Sequence, residues 1–201
     1  MNQRSSASFA SSAVQNCWSC DVGSACSSKE LVGTGPSKFY RMDIRPLVPS
    51  DWPAVLAAYE EGLATGQATF ETTAPSWEQW DIAHSPHARL VATSDDTVRG
   101  WAALTPVSRR NVYSGVAEVS IYILSEARGR GVGRLLLTSL IAASEAAGVW
   151  TLQASVFPEN TASVGLCLSC GFREVGRRER IAQHAGVWRD TVLLERRSSA
   201  I

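Results

Sequence analysis

"SEARGRGVGRLLLTSLIAASEAAG", residues 125 to 148, alternates Arg128, Arg130 and Arg134 with Gly129, Gly131 and Gly133 directly ahead of a run with helical periodicity. Glycine costs about 1 kcal/mol per residue in a helix interior, so three at a helix entrance point to a close approach of something to the backbone. The stretch before it, "GVAEVSIYIL" (115–124), is the strongest strand candidate in the chain, rich in β-branched and aromatic residues. A loop that leaves a strand and opens a helix is an anion site, because the bare N–H groups there carry about half a positive charge. Glycines let a phosphate come within hydrogen-bond distance of those groups, and arginines add forked donors at the rim. Two standard phosphate loops do not fit. A Walker loop needs G-x-x-x-x-G-K-[ST], and no lysine follows Gly129 in that frame. A dinucleotide fingerprint needs a sixth-position glycine, where the chain has Arg134 counting from Gly129 and Leu136 counting from Gly131. Arginine–glycine segments that bind RNA belong to low-complexity tracts, whereas this one runs straight into a helix.

Outward from that loop the chain alternates element types. "DIRPLV" (43–48) reads as a strand. Ser50 and Asp51, followed by Trp52 and Pro53, predict a cap and a helix through about Leu63. "GQATFETTAP" (66–75) is a loop, and Ser76 caps the short helix "SWEQWDIAH". "ARLVATS" and "VRGWAALTPV" form two strands around a turn near Asp95–Asp96. After the glycine-loop helix (131–147) come the strand "VWTLQASVF" (149–157), the helix "ENTASVGLCLSCG" (159–171) ending at Gly171, and the strands "FREVGRRERIA" and "VWRDTVLLER". A strand meander followed by β–α–β–α–β is a mixed α/β, α+β-like pattern.

At 201 residues, 45% hydrophobic and 19% charged, the chain reads as one soluble globular domain with an appendage. Its 19 basic and 19 acidic residues cancel, which removes the electrostatic case for nucleic acid or anionic membranes. No apolar run approaches the roughly 20 residues of a membrane span. Five cysteines, an odd number, imply a reduced compartment, so a cytoplasmic location is expected. Cys17/Cys20 and Cys167/Cys170 are two C-x-x-C pairs that raise the possibility of zinc. They lie far apart, however, and the second closes an apolar helical pattern where cysteine acts as a small hydrophobe. His84 and His87 read as helix-end residues without further ligands, so no metal is expected. Residues 1–40 are rich in Ser, Ala and Gly, with no sustained period. Their composition resembles that of organelle transit peptides, but "MDIRPLVPSDW" looks like a domain start at Met42. The segment is therefore expected to be a disordered or non-native extension.

Arg128-Gly129-Arg130-Gly131-Val132-Gly133 resembles the acyl-coenzyme A loop [Q/R]-x-x-G-x-[G/A] of the GCN5-related N-acetyltransferase (GNAT) superfamily. Further stretches resemble its phosphinothricin and methionine-sulfoximine acetyltransferase branch: "ATFET" (68–72), "AEVSIYI" (117–123), "ENTAS" (159–163), "CGFREVGR" (170–177) and "GVWRD" (186–190). The resemblance implies one acetyltransferase domain over 41–197. Its fold would be a twisted, mostly antiparallel sheet of about seven strands with about four flanking helices and a splayed acyl-CoA site. It implies acetyl-CoA as acyl donor, a small amino-acid-like amine as acceptor, direct transfer in a ternary complex, a homodimer, and a role in antibiotic or herbicide resistance.

By the same resemblance the cofactor residues are Ile121, Tyr122 and Ile123 along the pantetheine arm. Arg128, Gly129, Arg130, Gly131, Val132, Gly133 and Arg134 lie at the pyrophosphate, with Asn160 and Ser163 near the sulfur. Asn160 is also a plain N-cap candidate. An amine with a pKa of about 8 to 10 is mostly ammonium at neutral pH and needs a base. Glu118, the acidic residue among apolar neighbours in its strand, is the candidate, against the plainer reading of a solvated glutamate. The substrate side is expected from Phe70, Glu71 and Thr72 of "TFET" (Thr69–Thr72) and from Ser108, Arg109 and Arg110. The two arginines suit a substrate carboxylate, though exposed surface arginines are equally common.

The chain departs from the branch at three places. Cys167 stands where the branch usually has His and many relatives have a Tyr assigned to protonating the leaving thiolate. Val112 interrupts the R-x-A-Y pattern that begins at Arg110. His184–Ala185 replaces a basic-aromatic pair near the acceptor side. Alternatives therefore remain open: a catalytically weak coenzyme A-binding sensor or partner domain, or an N-acetyltransferase acting on protein or peptide amines.

Overall fold

The computed structural model describes residues 42–201; the extension read at 1–40, with Cys17 and Cys20, lies outside the described residues. In chain order the elements are β1 (Asp43–Pro46), α1 (Trp52–Ala64), α2 (Trp77–Ala83), β2 (Leu90–Ser94), β3 (Thr97–Pro106), β4 (Val116–Ile123), α3 (Val132–Ala146), β5 (Thr151–Val156), α4 (Thr161–Ser169), β6 (Arg173–His184) and β7 (Val187–Arg197). One seven-stranded sheet runs in the order β1-β2-β3-β4-β5-β7-β6. Its neighbours are antiparallel except β4 and β5, which are parallel and joined through α3. This is the mixed α/β architecture expected from the strand and helix pattern.

Period-two alternation along β3 divides the core between the two faces of the sheet. Ala102 and Leu104 join the buried Leu136, Leu137, Leu140 and Ile141 of α3. Those four sit at helical spacing on one stripe, and each such side chain contributes about 1.5–3 kcal/mol on burial. Trp101 and Ala103 face the other way, against Val55 and Ala58 of α1 and Trp80 of α2. Trp101 Nε1 donates to the Val55 carbonyl at 3.1 Å, satisfying its buried donor.

Local signals explain where α1 and α2 begin. Ser76 and Gln79 form a reciprocal capping box at α2: the Gln79 amide donates to Ser76 Oγ, and the Ser76 amide to Gln79 Oε1. The cap expected at α1 takes another form. Asp51 ends a 3-10 turn (Pro49–Asp51) and makes no side-chain cap bond to α1. Its carboxylate turns back to accept from the Val48 amide at 2.9 Å and from both ends of the Arg45 guanidinium at 2.7 Å. Arg45 holds the Asp51 carboxyl below its ordinary range. The pair ties β1 to α1.

The feature that positions the site is a fork. β4 pairs with β5 only at Val116↔Thr151, Ala117↔Leu152 and Glu118↔Gln153. Beyond Glu118, β5 stays with β7 as far as Val156↔Val192, and β4 stays with β3 as far as Ile123↔Gly100. From Val119 onward β4 therefore has no sheet partner on its β5 side. This is the splay that the resemblance implies.

Candidate active site

The glycine loop and α3 begin where β4 ends. Gly129 and Gly131 adopt φ of 72° and 79°, the left-handed region that costs glycine little. Gly131 is the N-cap of α3 and no side chain caps the helix. The first backbone bond at this end runs from the Leu135 amide to the Gly131 carbonyl, 3.1 Å. The amides of Val132, Gly133 and Arg134 precede it and have no helical carbonyl to reach. A side chain at Gly131 would meet no neighbouring atom, so conformation alone selects glycine there. Gly133 differs: an added Cβ would lie 3.0 Å from Ile123 Cδ1 and 3.1 Å from Leu166 Cδ2. Arg128, Arg130 and Arg134 are exposed around this opening. Arg128 is fastened by Nε to the Ile123 carbonyl at 2.9 Å.

A cavity of about 450 Å³ lies in the fork and gathers Glu118, Ile121, Tyr122, Asn160, Ser163, Phe70 and Glu71 from three parts of the chain. Glu118 sits on the last rung that joins β4 to β5, with Thr105 of β3 opposite on its other side. Asn160 Oδ1 caps α4 by accepting from the Ser163 amide at 3.1 Å, while its Nδ2 donates to the Gln67 carbonyl at 3.2 Å. Thr72, Ser108, Arg109 and Arg110 do not line this cavity, and neither do Ile123 and the glycine loop. Arg110 lies over the Tyr113 ring, 5.6 Å from its centroid, and its amide donates to Ser108 Oγ. The arginines offered for a substrate carboxylate are thus on the β3–β4 connection, exposed, and outside the cavity.

Polar groups in the cavity are tuned by burial. The Tyr59 and Tyr122 rings lie side by side, centroids 4.8 Å apart, and desolvation pushes both phenols up, Tyr122 the further. Burial likewise pushes the Cys167 thiol up to about 11, so it carries its proton at neutral pH. Gly62 of α1 makes room for Tyr122: a Cβ there would sit 2.6 Å from the ring.

The loop after α1 forms a strap that lines the cavity through Ala68, Thr69, Phe70 and Glu71. It is held by Arg189 of β7, whose guanidinium donates to Gln67 Oε1 and Glu159 Oε2, each at 3.1 Å. The same group lies 4.3 Å from the centroid of Phe157, and Phe70 stands edge-on to Phe157 at 4.8 Å. Tyr59, Thr105 and Arg189 are parts of this site that the sequence reading did not single out, and His84, read there as a helix-end residue, is the C-cap of α2 and also lines the cavity. Arg189 stood within the quoted "GVWRD". Thr105 is identified only by its register with Glu118. For Tyr59 and His84 no local signal exists.

Among the described residues no group of three or more His, Cys, Asp or Glu could hold a metal ion, and no helix is long and apolar enough to cross a membrane. A forked sheet with an uncapped, glycine-opened helix at its end sets an anion site beside an open strand edge. Comparison with known proteins agrees. Residues 51–172 match the Acetyltransferase (GNAT) family model. A phosphinothricin N-acetyltransferase of Alcaligenes faecalis is 37% identical over 160 residues, covering 76% of this chain and 81% of that protein. A ribosomal-protein-alanine N-acetyltransferase from Brucella melitensis superposes with a TM-score of 0.72 at 31% identity, over 77% of this chain and 99% of that one. A phosphinothricin acetyltransferase from Sinorhizobium meliloti, solved with acetyl-CoA, gives 0.72 at 28% identity, covering 78% and 88%. The chain belongs to the GNAT family and is an acetyl-CoA-dependent N-acetyltransferase.

Proposed function

We propose that the enzyme acetylates the primary amine of a small amino-acid-like substrate of the phosphinothricin or methionine-sulfoximine type, by direct transfer in a ternary complex with Glu118 as general base. The observation that carries this reading is the position of Glu118 at the apex of the fork, inside the cavity and beside the open edge of β4. The names of the Alcaligenes relative and of a Pseudomonas aeruginosa methionine sulfoximine/sulfone acetyltransferase, 27% identical, support the substrate class.

The residues present suit the donor. The unpaired amides at the start of α3 would hold its pyrophosphate, the open edge of β4 its pantetheine arm, and Asn160 with Ser163 the region of its sulfur. When bound, acetyl-CoA supplies an acyl group already activated as a thioester. Glu118 takes one proton from the ammonium, leaving the nitrogen lone pair free to attack. Thr105 stands opposite Glu118, and Tyr59 and Tyr122, whose phenols stay uncharged near pH 7, line the same cavity. Positioning of two reactants in this way supplies about 7–11 kcal/mol. A homodimer and a cytoplasmic location belong to the same reading. β6 is a sheet edge that leaves Val175 and Ile181 exposed, and Val187 and Trp188 of β7, paired with His184 and Gln183 at its end, are exposed too.

A second reading, acetylation of peptide α-amines, is supported by the absence of arginine among the described residues that line the cavity, since such an acceptor brings no α-carboxylate. A panel of phosphinothricin, methionine sulfoximine and short Ala-initiated peptides, followed by thiol release, separates the two. Glu118→Gln should lower kcat by about 10²–10⁴ at pH 7 and abolish the rise of rate with pH. An unchanged pH–rate profile, or no saturable acetyl-CoA binding to the parent, overturns the proposal.

A further inference from the structure

The cavity also holds an imidazole with no part in the mechanism above. His84 is the C-cap of α2, and the amide of the next residue, Ser85, donates to the Leu104 carbonyl at 2.7 Å. That bond hangs His84 beside the end of β3, one residue short of Thr105, whose register partner is Glu118. On this face of the sheet the rungs run Trp101↔Tyr122, Ala103↔Ser120 and Thr105↔Glu118, and Ala103 contributes only a methyl group. The His84 ring stacks on Trp80 at 4.2 Å and stands edge-on to Trp101 at 5.9 Å. His84, Thr105 and Glu118 all line the cavity.

The tautomer follows from a single contact. His84 Nδ1 lies 2.7 Å from the Trp80 carbonyl oxygen, which has no proton to give, so Nδ1 is the donor. A neutral ring then keeps a lone pair on Nε2. The charged and titratable groups around the ring are Arg89, whose guanidinium donates to the His84 carbonyl at 2.8 Å and is paired with Asp81, together with Tyr59, Tyr122, Glu71 and Glu118 of the cavity wall. Burial first, and Arg89 second, hold the imidazole below its ordinary range, against the pull of the Trp80 carbonyl. It is neutral at pH 7.

We propose that His84 Nε2 accepts a hydrogen bond from the acceptor amine while Glu118 removes its proton, so that two fixed acceptors aim the remaining lone pair. This rests on the acetyl-transfer reading. In the step itself one N–H bond of the ammonium breaks, an O–H bond forms on the Glu118 carboxylate, and the electron pair stays on nitrogen. His84 changes neither charge nor protonation. It fixes the direction of the amine.

The test uses two variants and two readouts on the full chain. His84→Phe keeps the stack on Trp80 and Trp101 but has no acceptor, whereas His84→Gln restores one. His84→Phe should raise KM for the amine roughly tenfold, the worth of one hydrogen bond, with KM for acetyl-CoA and Tm unchanged, and His84→Gln should recover part of the loss. Equal amine KM in parent and His84→Phe, or a parallel rise in both KM values, overturns the proposal. Independently of turnover, the protein has three histidines, so ¹⁵N-histidine spectra with His84→Phe as reference identify its ring. An Nδ1–H tautomer at pH 7, with an Nε2 resonance that moves on titration with phosphinothricin in the presence of coenzyme A, supports the assignment. A proton on Nε2, or no movement at saturating phosphinothricin and methionine sulfoximine, sinks it even if acetylation is intact. Loss of transfer to every amine with the ring behaving as described would instead reject the enzymatic reading.

Discussion

Gly131 turns the backbone to φ 79° just before the uncapped amides of α3, a conformation in which a residue with a Cβ is disfavoured by roughly 1–2 kcal/mol. Valine there would add β-branched strain and swing the first N–H groups away from a common point. Calorimetric titration of coenzyme A should therefore show Gly131→Val weakening binding by more than tenfold, and Arg130→Ala by no more than about threefold, the scale of an exposed charge contact. A larger loss from the arginine change would make the loop an electrostatic patch. This loop was legible because glycine spacing and helix onset are written in adjacent residues. Glu118 was legible too, as an acid among apolar strand neighbours. His84 was not: its place depends on a stack with Trp80 and a backbone bond to Leu104, neither of which has a local sequence signature.

At the scale of elements, strands and helices follow their patterns to within a few residues, since amphipathic stripes and caps act locally. The connections that make the site are long-range. Arg189 reaches 122 residues back to Gln67 and 30 back to Glu159, so no reading of the 66–75 loop by itself could show what holds it. That guanidinium, with its side chain only 16% exposed, is the fastening of the strap beside the cavity. Hydrogen bonds to charged groups in such a setting are worth about 1.5–3 kcal/mol. Arg189→Met, which keeps the stem over Phe157, should raise KM for the amine about five- to thirtyfold. It should also make the 66–75 loop more susceptible to limited proteolysis, with β6 and β7 intact. Unchanged kinetics and cleavage would reduce the strap to a surface contact. Asp51 illustrates the same limit on a smaller scale: the residue type announces a cap, but Arg45, six residues earlier, claims its carboxylate.

For the molecule as a whole, the buried titratable groups set a pH window. His84 is held below its ordinary range, so the unfolded chain binds more protons than the folded one as pH falls through about 6.5, and stability declines there. Asp51, also lowered, extends that decline to more acid pH. Cys167 is raised from 9.0 to about 11. The unfolded chain releases that proton first, so stability falls again above about pH 9; the raised phenols of Tyr59 and Tyr122 add to this limb. Melting temperature measured against pH should be flat between about 7 and 8.5 and fall on both sides. His84→Phe should flatten the stretch near pH 6 and Cys167→Ala the stretch near pH 10. The fork between β4 and β5 bears on the same quantity from another direction. A ladder left half-made inside a sheet is a vacancy in the cohesion of the fold, and whatever completes it becomes part of what keeps the chain folded. By mass action, a ligand at a hundred times its dissociation constant adds about 2.7 kcal/mol to the native state. On the proposed placement of acetyl-CoA along β4, the amount of this enzyme that survives in its folded form is tied to the supply of the molecule it consumes.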